Sequence, residues 1–382
     1  MNVTDITAEQ LDADFKVLSP VPRDLWESLT ASCDDFVATQ SVHWRDAIAA
    51  SGAYKDISLF FDFPSGRQVL LPMVQRRWRT PLEPTAASWP RRWGVGGPVT
   101  YGGSIEPAEA TAVLDHVIRR DLLGAEIHLS HISDPVWLQA ASQYRVLTDP
   151  CYSLDLTSGF DNVWKNKFKS SIRTSVRKAE RLGLDVEADS SGRLLEVFYG
   201  MYEKSMQRWS AKMHEPSWYT RWHVSRATPL SMLKAVAENF GEDCTTWAAF
   251  SGGVPAAALI VLQAGTRVYA WRGAMDKELA APTRASQLLQ KLAIEDACNS
   301  GCLSYDLGIA VPGTSLAAAK ERLGATLTHT HYLETQRLPV QRMIEAPKNL
   351  AKKAATTLRI GLIVVFYRDL SLFFNLLFSY IN

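Results

Sequence analysis

Cysteine is scarce in this chain. Its 382 residues hold five, namely Cys33, Cys151, Cys244, Cys298 and Cys302. The number is odd and no C-x-x-C pair occurs, which excludes a disulfide framework and suits a reducing compartment. Cys298 and Cys302 stand four apart, but Gly301 breaks a helix between them, so both read as packing residues and no metal is expected. Net charge is lacking as well: 41 Lys and Arg against 40 Asp and Glu leave +1. That balance argues against a dedicated nucleic-acid binder and confines any basic patch to one place. The first residues, MNVTDITAEQLDADF, are acidic with no apolar run, so they are not expected to act as a secretory signal.

What is present describes a folded protein. Apolar residues make up 47% and charged residues 21%, the balance of a globular chain. The length suits two domains of middling size. Twelve tryptophans are many; they suit a roomy aromatic-lined cleft, and core packing could also use them.

The first half reads as mixed structure without an evident catalytic group. Residues 24–30 and 42–51 carry helical spacing, and 57–63 and 68–74 read as strands joined by the turn Pro64-Ser65-Gly66-Arg67. The stretch 89–103, WPRRWGVGGPVTYGG, is loop and edge-strand material. Its G-V-G-G run lacks the strand-to-helix context of a phosphate loop. Residues 108–123 form an amphipathic helix and 125–131 alternate as a strand. His128 and His131 fall on opposite faces of that strand, so they read as polar edge residues and not as metal ligands.

After a strand at 151–156, the text DNVWKNKFKSSIRTSVRKAERLG fits one helix over 161–183. At about 100° per residue, Phe168, Ile172, Ala179 and Leu182 gather on one face. Lys165, Lys169, Arg173, Arg177 and Arg181 run along the other at spacings of four, interrupted by Glu180, and Gly183 ends the helix. Like charges four apart destabilise a helix by a few tenths of a kcal/mol per pair. A cationic face can be merely solvated, but a face selected for solubility would mix its signs. The row therefore points to an anionic partner, most simply a phosphate held by arginine forks.

Residues 192–209 read as a long helix and 217–237 as further helix broken at Pro229. Residues 245–250 and 256–263 are strands joined by Ser251-Gly252-Gly253-Val254. From 268 to 332 the order is strand, helix, strand, helix, strand. Helices, then a hairpin, then that alternation is the order of a GNAT acyltransferase, which splays two strands to hold an acyl donor.

The chain is similar to the FemAB-type peptidyltransferases and their acetyltransferase-like relatives over roughly residues 35–335. The residues that carry the resemblance are Gln40-Ser41-Val42-His43-Trp44, Leu70-Leu71-Pro72-Met73-Val74 before Gly96-Gly97-Pro98, and Leu154-Asp155-Leu156. Trp164 leading to Arg173, Arg177, Lys178 and Ala179 follows, then Tyr305-Asp306-Leu307-Gly308 with Lys320 and Gly324. The resemblance implies an α/β (α+β) fold of two tandem GNAT-like domains, each a mixed, mostly antiparallel sheet flanked by helices. It implies transfer of an acyl or aminoacyl group to an amine, with acyl-CoA or aminoacyl-tRNA as co-substrate and no bound cofactor. Acceptors in the family include lipid-linked and nucleotide-linked sugar-peptides. Trp164, Lys169, Arg173 and Arg177 are then expected at substrate phosphate. Lys320 is expected beside the reacting carbonyl, Asp306 as the acceptor of the amine proton, and Tyr305 as a hydrogen-bond donor. Plainer roles stand beside these: Lys320 as a surface lysine in an ion pair, Asp306 as a local cap. His329 and His331 share a face of the last strand, which reads as a polar surface.

Two departures bear on the donor. Ala319 stands where the family usually has Phe, and the Gln/Arg-x-x-Gly-x-Gly/Ala loop is missing. Thr283, Arg284 and Ser286 occupy the helix start in its place, where backbone N–H groups are still available to phosphate. No long heptad insertion of the kind seen in some tRNA-using members occurs, which favours a CoA-type donor. The departures also keep open a catalytically silent protein that binds an anionic glycan intermediate or scaffolds a membrane complex.

The tail begins with a basic helix over 342–359 and ends IGLIVVFYRDLSLFFNLLFSYI, twenty-two residues with Arg368 and Asp369 near the centre. A charge there costs about 2.5–3.5 kcal/mol, against roughly −0.3 to −0.6 for each Leu, Ile, Val or Phe. Fourteen such residues about cancel the two charges. Arg368, Ser371, Asn375 and Ser379 form a polar stripe, so a helix lying in a membrane interface fits better than a span. A tail folded onto the protein or a dimer partner is the alternative. The expected organisation is 1–150, 151–340 and a tail 341–382, in a cytoplasmic protein that touches the inner face of the membrane.

Overall fold

The structure is a computed structural model, and the residues it describes are 15–33, 36–77, 86–90, 93–120, 124–213 and 228–336. The tail expectations, with those for the first fourteen residues and for 217–227, lie outside them.

The first half runs β1 (Lys16–Leu18), α1 (Arg23–Ala31), α2 (Val42–Ala50), β2 (Tyr54–Asp56), β3 (Leu59–Asp62), β4 (Gln68–Leu71), β5 (Val74–Arg76), β6 (Ala86–Ala87), β7 (Val99–Tyr101), α3 (Pro107–Arg119), β8 (Gly124–Leu129) and α4 (Val136–Ala140). The second half opens with β9 (Arg145–Asp155), α5 (Gly159–Asn162), α6 (Ser170–Arg181), β10 (Asp185–Asp189), α7 (Leu195–Met213) and α8 (Leu230–Phe240). It continues with β11 (Cys244–Ser251), β12 (Val254–Ala264), β13 (Arg267–Met275), α9 (Lys277–Thr283), α10 (Ala285–Asn299), β14 (Ser304–Ile309), α11 (Ser315–Arg322) and β15 (Thr326–Gln336).

Local chemistry sets several boundaries. Ser41 caps α2 by accepting from the Trp44 N–H, and Thr314 caps α11 by accepting from the Ala317 N–H. Pro107 opens α3 at a position where its missing N–H costs nothing. The apolar run of β12 is buried on both faces because it lies between β11 and β13 with helices above and below.

Among the described residues the strands form two sheets. One has the order β1-β3-β4-β7; the other has eleven strands, β10-β11-β12-β13-β14-β9-β15-β8-β6-β5-β2. Pairing is antiparallel except for β13 with β14 and β6 with β8. The two halves share the larger sheet through β9, which pairs with β14 on one edge and β15 on the other. The expected boundary at 150 therefore falls inside a continuous strand.

Three cores follow. One packs α3 and α4 against the first half's strands. A second packs α6 and α10 on one face of the large sheet, around Tyr152, Leu154, Tyr305 and Leu307. The third joins the halves, since α2 with Trp44 meets α7, α8 and Trp271 of β13. Trp44 and Trp271 meet edge to face at 5.2 Å. Among the described residues the tryptophans are largely core: Trp26, Trp44, Trp89 and Trp137 are wholly buried.

The basic stretch departs from the expected single helix. Residues 163–167 form one turn of π-helix, the chain becomes extended at Phe168 and Lys169, and α6 starts afresh at Ser170. The apolar face of α6 is Ile172, Val176 and Ala179, with Phe168 just ahead of it. Leu182, expected on that face, is 52% exposed. At about 100° per residue Leu182 lies about 80° round the helix from Ile172, at the edge of the apolar face.

The histidine reading also changes. β8 lies inside the sheet between β15 and β6, so His128 is fully buried, with Nε2 2.5 Å from Glu126 Oε1. It is a satisfied core histidine and not an edge residue. His131 lies in the turn after β8, outside the strand that was expected to carry it.

Candidate active site

β13 and β14 pair in parallel over three positions only, Arg267 with Ser304, Val268 with Tyr305 and Tyr269 with Asp306. Beyond them the ladder stops while both strands continue, β13 to Met275 and β14 to Ile309. β14 is drawn away by its other neighbour: Gly308 pairs with Tyr152 and Ile309 with Cys151, after a bulge at Asp306 and Gly308. Gly308 has φ +73°, a conformation that costs a side-chain-bearing residue about 1–2 kcal/mol. The strands diverge as expected, leaving a wedge whose apex is Asp306.

Successive residues of a strand face opposite ways. Asp306 faces the side where the two halves meet, and its carboxylate Oδ1 lies 3.1 Å from His131 Nε2. The Ser304 hydroxyl donates to the same oxygen at 3.5 Å. Both side chains are mostly enclosed, 9% exposed for Asp306 and 13% for His131. Tyr269, opposite Asp306 in the ladder, passes beside Gly308, where an added Cβ would stand 3.5 Å from its ring. Burial pushes the Tyr269 phenol up; nearby Arg272 works against this and the Asp306 charge adds to it.

Tyr305 points the other way. It is wholly buried, and its hydroxyl donates to Gln290 Oε1 of α10 at 3.4 Å. Burial alone pushes its phenol far up. The expected donor toward substrate is thus a core residue, because Tyr305 shares its face with Leu307 and the helix-covered side of the sheet.

Lys320 is not exposed, and among the described residues it has no ion-pair partner. It is 7% exposed, and Nζ donates to the carbonyl oxygens of Gly308 and Ile309, both at 2.9 Å. Its ammonium also lies 5.9 Å from the centre of the Tyr152 ring. Burial holds the ammonium down at about 8, partly offset by Cys151. Lys320 therefore ties the end of the splayed strand, and two of its three protons are used in doing so.

The basic segment and α11 turn out to touch. The Lys169 N–H donates to the Arg322 carbonyl at 2.8 Å. Gly324 has φ +81°, and a Cβ there would meet the Lys167 carbonyl oxygen at 2.6 Å, so only glycine fits. Arg173 turns inward: its Nη1 donates to the carbonyls of Trp164, Lys165 and Phe168. It caps the π turn that precedes α6, so this part of its fork is not available to phosphate. Trp164 is half-buried between Phe160 and Phe168, whereas Lys169 and Arg177 are exposed.

The helix start expected to meet the donor stands at the open end of the wedge. The Ser286 hydroxyl lies 3.7 Å from Met275 Sδ, at the far end of β13. Arg284 has φ +62°, the only non-glycine with positive φ among the described residues, and is exposed ahead of the fifteen-residue helix α10. It supplies the left-handed turn that a glycine would otherwise give. Thr283 spends its hydroxyl on the Leu279 carbonyl at 2.5 Å.

On the first-half side, a cleft of about 420 Å³ is lined by Gln40, Thr100, Ser130, Ser133, Asp134 and Trp137, among others. His131 sits in the same turn as Ser130 and Asp134. Sequence reasoning missed it because its partner Asp306 is far away in the chain, and pairing across two halves leaves no local pattern. His329 is exposed and His331 half-exposed, the latter bonded to Thr148, so they form a polar strand face.

Residues 166–315 match the family model described as "Acetyltransferase (GNAT) domain". The second half of the chain carries a GNAT acyltransferase domain. Across both halves the chain is similar to the crystal structure of FemX at 12% identity and TM-score 0.56, covering 85% of this chain and 98% of that one. A conserved protein of unknown function from Bacteroides thetaiotaomicron follows at 8% identity and TM-score 0.53, covering 83% and 98%. A tandem GNAT protein from the clavulanic acid biosynthesis pathway has 11% identity and TM-score 0.47, covering 85% and 99%. No curated protein matches. The fold is thus shared with FemX, and the wedge between β13 and β14 lies in the stretch that matches the GNAT model. Among the described residues no helix is long and apolar enough to cross a membrane.

Proposed function

We propose that this GNAT protein is an N-acyltransferase that moves an acyl group from acyl-CoA to the amine of a phosphate-bearing sugar or peptide, in cell-envelope or exopolysaccharide assembly. The observation that carries the reading is the wedge itself, with the Asp306 carboxylate at its apex beside His131. An acyl group laid in the wedge has its carbonyl near the apex, and an amine arriving from the first-half side meets the Asp306 and His131 pair, which is able to draw off its proton. Of Thr283, Arg284 and Ser286, Ser286 in the first turn of α10 and the exposed guanidinium of Arg284 then serve the donor's phosphates, since the Arg284 N–H is spent on the Ala280 carbonyl and the Thr283 hydroxyl on that of Leu279. Lys169 and Arg177 face outward for an anionic acceptor, with Trp164 and Arg173 holding the turn that presents them. Lys320 acts by fixing the strand end at Gly308 and Ile309, and its third proton is free to meet developing negative charge. Work at the inner face of the membrane, through residues 348–382, belongs to the same proposal.

A thermal-shift panel with CoA, acetyl-CoA, charged tRNA and amino-sugar nucleotides tests this. A ligand at 100 times its dissociation constant adds about 2.7 kcal/mol, a shift that is readily seen. Stabilisation by CoA and acetyl-CoA is the expected result. A response to charged tRNA alone would move the protein to the aminoacyl-tRNA-dependent peptidyltransferases. A response to nucleotide sugars alone would make it a binding or scaffold protein.

A further inference from the structure

The geometry points to His131 as the residue that takes the amine proton, with Asp306 as the positioning residue behind it. This rests on the acyl-transfer reading above and assigns a base that the sequence did not offer. The Asp306 carboxylate is 9% exposed, and one of its oxygens faces the imidazole at 3.1 Å. Nε2 is the ring nitrogen nearer the carboxylate, and the charge there favours the neutral tautomer with its N–H on Nε2, leaving Nδ1 as the basic atom. Among the described residues neither ring nitrogen of His131 makes a hydrogen bond, so the 3.1 Å approach to Asp306 is a close charge contact. His128, three residues earlier on β8, is the contrast: its Nε2 meets Glu126 at 2.5 Å and its Nδ1 lies 3.4 Å from the Gly94 carbonyl. One histidine is spent on the core, and the other reaches the wedge apex from the turn whose neighbouring residues Ser130, Ser133 and Asp134 line the first-half cleft.

In the step, the amine nitrogen attacks the thioester carbonyl carbon, the C–N bond forms and the C–S bond breaks. The electron pair of that bond leaves with CoA as thiolate. The proton lost by nitrogen passes to His131 Nδ1 and then to the thiolate, so the enzyme ends as it began. The other titratable groups gathered here are Tyr269 on β13 and Cys151 on β9, both of which feel the Asp306 charge, and Lys320, which acts on Cys151.

The test uses the full chain and two readouts. The first needs no substrate: diethyl pyrocarbonate acylates neutral imidazole nitrogen, and peptide mass spectrometry ranks the histidines. His131 is expected to react much faster than the enclosed His128. Equal rates would mean that Nδ1 is not available and would overturn the assignment, whatever the substrate. The second follows thiol release from acetyl-CoA with an amino-sugar nucleotide. His131→Gln is expected to lower kcat on the order of 100-fold or more near neutral pH, the usual size of a general-base effect, with the donor KM unchanged. The deficit should shrink as rising pH deprotonates the amine in solution. A wild-type rate, or a deficit constant across pH, would overturn it. Failure of the acyl-transfer reading looks different: the wild type turns over none of the donors while His131 is still modified.

Discussion

A buried lysine without a carboxylate partner has a measurable effect on stability. Lys320 holds two carbonyls at 2.9 Å, and burial lowers its ammonium to about 8. An unfolded chain holds that proton to about 10.4, so the gap is worth about 3 kcal/mol. The direction follows from which state binds the proton more tightly. Between these values the unfolded chain keeps the proton while the folded one has released it, so stability rises with pH. The gain is absent below about 8 and complete above about 10.4. Lys320→Met removes the group. Near pH 7 it relieves the buried charge but leaves two carbonyls without donors, about 1–3 kcal/mol each, so the variant should fall within a few kcal/mol of wild type. Toward pH 10.5 the wild type should pull ahead by about a further 3 kcal/mol. Urea denaturation at intervals from pH 7 to 10.5, read as the difference between the two proteins, measures this directly. Parallel curves would refute the reasoning, since Lys320 would then be as well solvated folded as unfolded. The same variant also bears on chemistry: wild-type turnover would reduce Lys320 to a clamp on the strand.

Gly324→Ala should destabilise the protein by more than about 2 kcal/mol, because left-handed backbone alone costs about 1–2 and a Cβ also meets the Lys167 carbonyl. It should also loosen the hold on Lys169 and weaken binding of anionic ligands; an unchanged urea midpoint would show that Lys167 and α11 are not in contact. For the tail, the full chain should float with anionic liposomes and a chain ending at residue 340 should not. Equal behaviour of the two would remove the membrane surface from the proposal.

Much of the wedge was legible because its signals are local. Strands of six to eleven residues, turns at glycine and an amphipathic α10 specify strand-helix-strand-helix-strand without reference to anything distant. The motif residues Asp306, Lys320 and Gly324 fall together around β14 and α11. What was hidden is nonlocal. The basic row assumed one helix, yet Arg173 is spent on three carbonyls of the preceding turn. A row of charges at spacings of four carries no mark of a break at Phe168. The shared sheet was equally hidden, since β9 pairs with strands about 150 to 190 positions later in the chain.

Tyr305 is a different case, because the signal that assigns it was available. Along β14, Tyr305 and Leu307 alternate with Ser304, Asp306 and Gly308. A period of two puts the apolar pair on one face and the polar set on the other. The face carrying Tyr305 must then pack on a helix, and α10, just before it in sequence, is the one that covers it through Gln290. A tyrosine buried this way needs a partner for its hydroxyl inside the core. The same alternation leaves Asp306 on the side open to the first half, where a carboxylate is tolerated only beside a group that can bond it. Pairing Asp306 with a distant histidine is thus a consequence of the strand's own pattern, even though the pattern does not say which histidine.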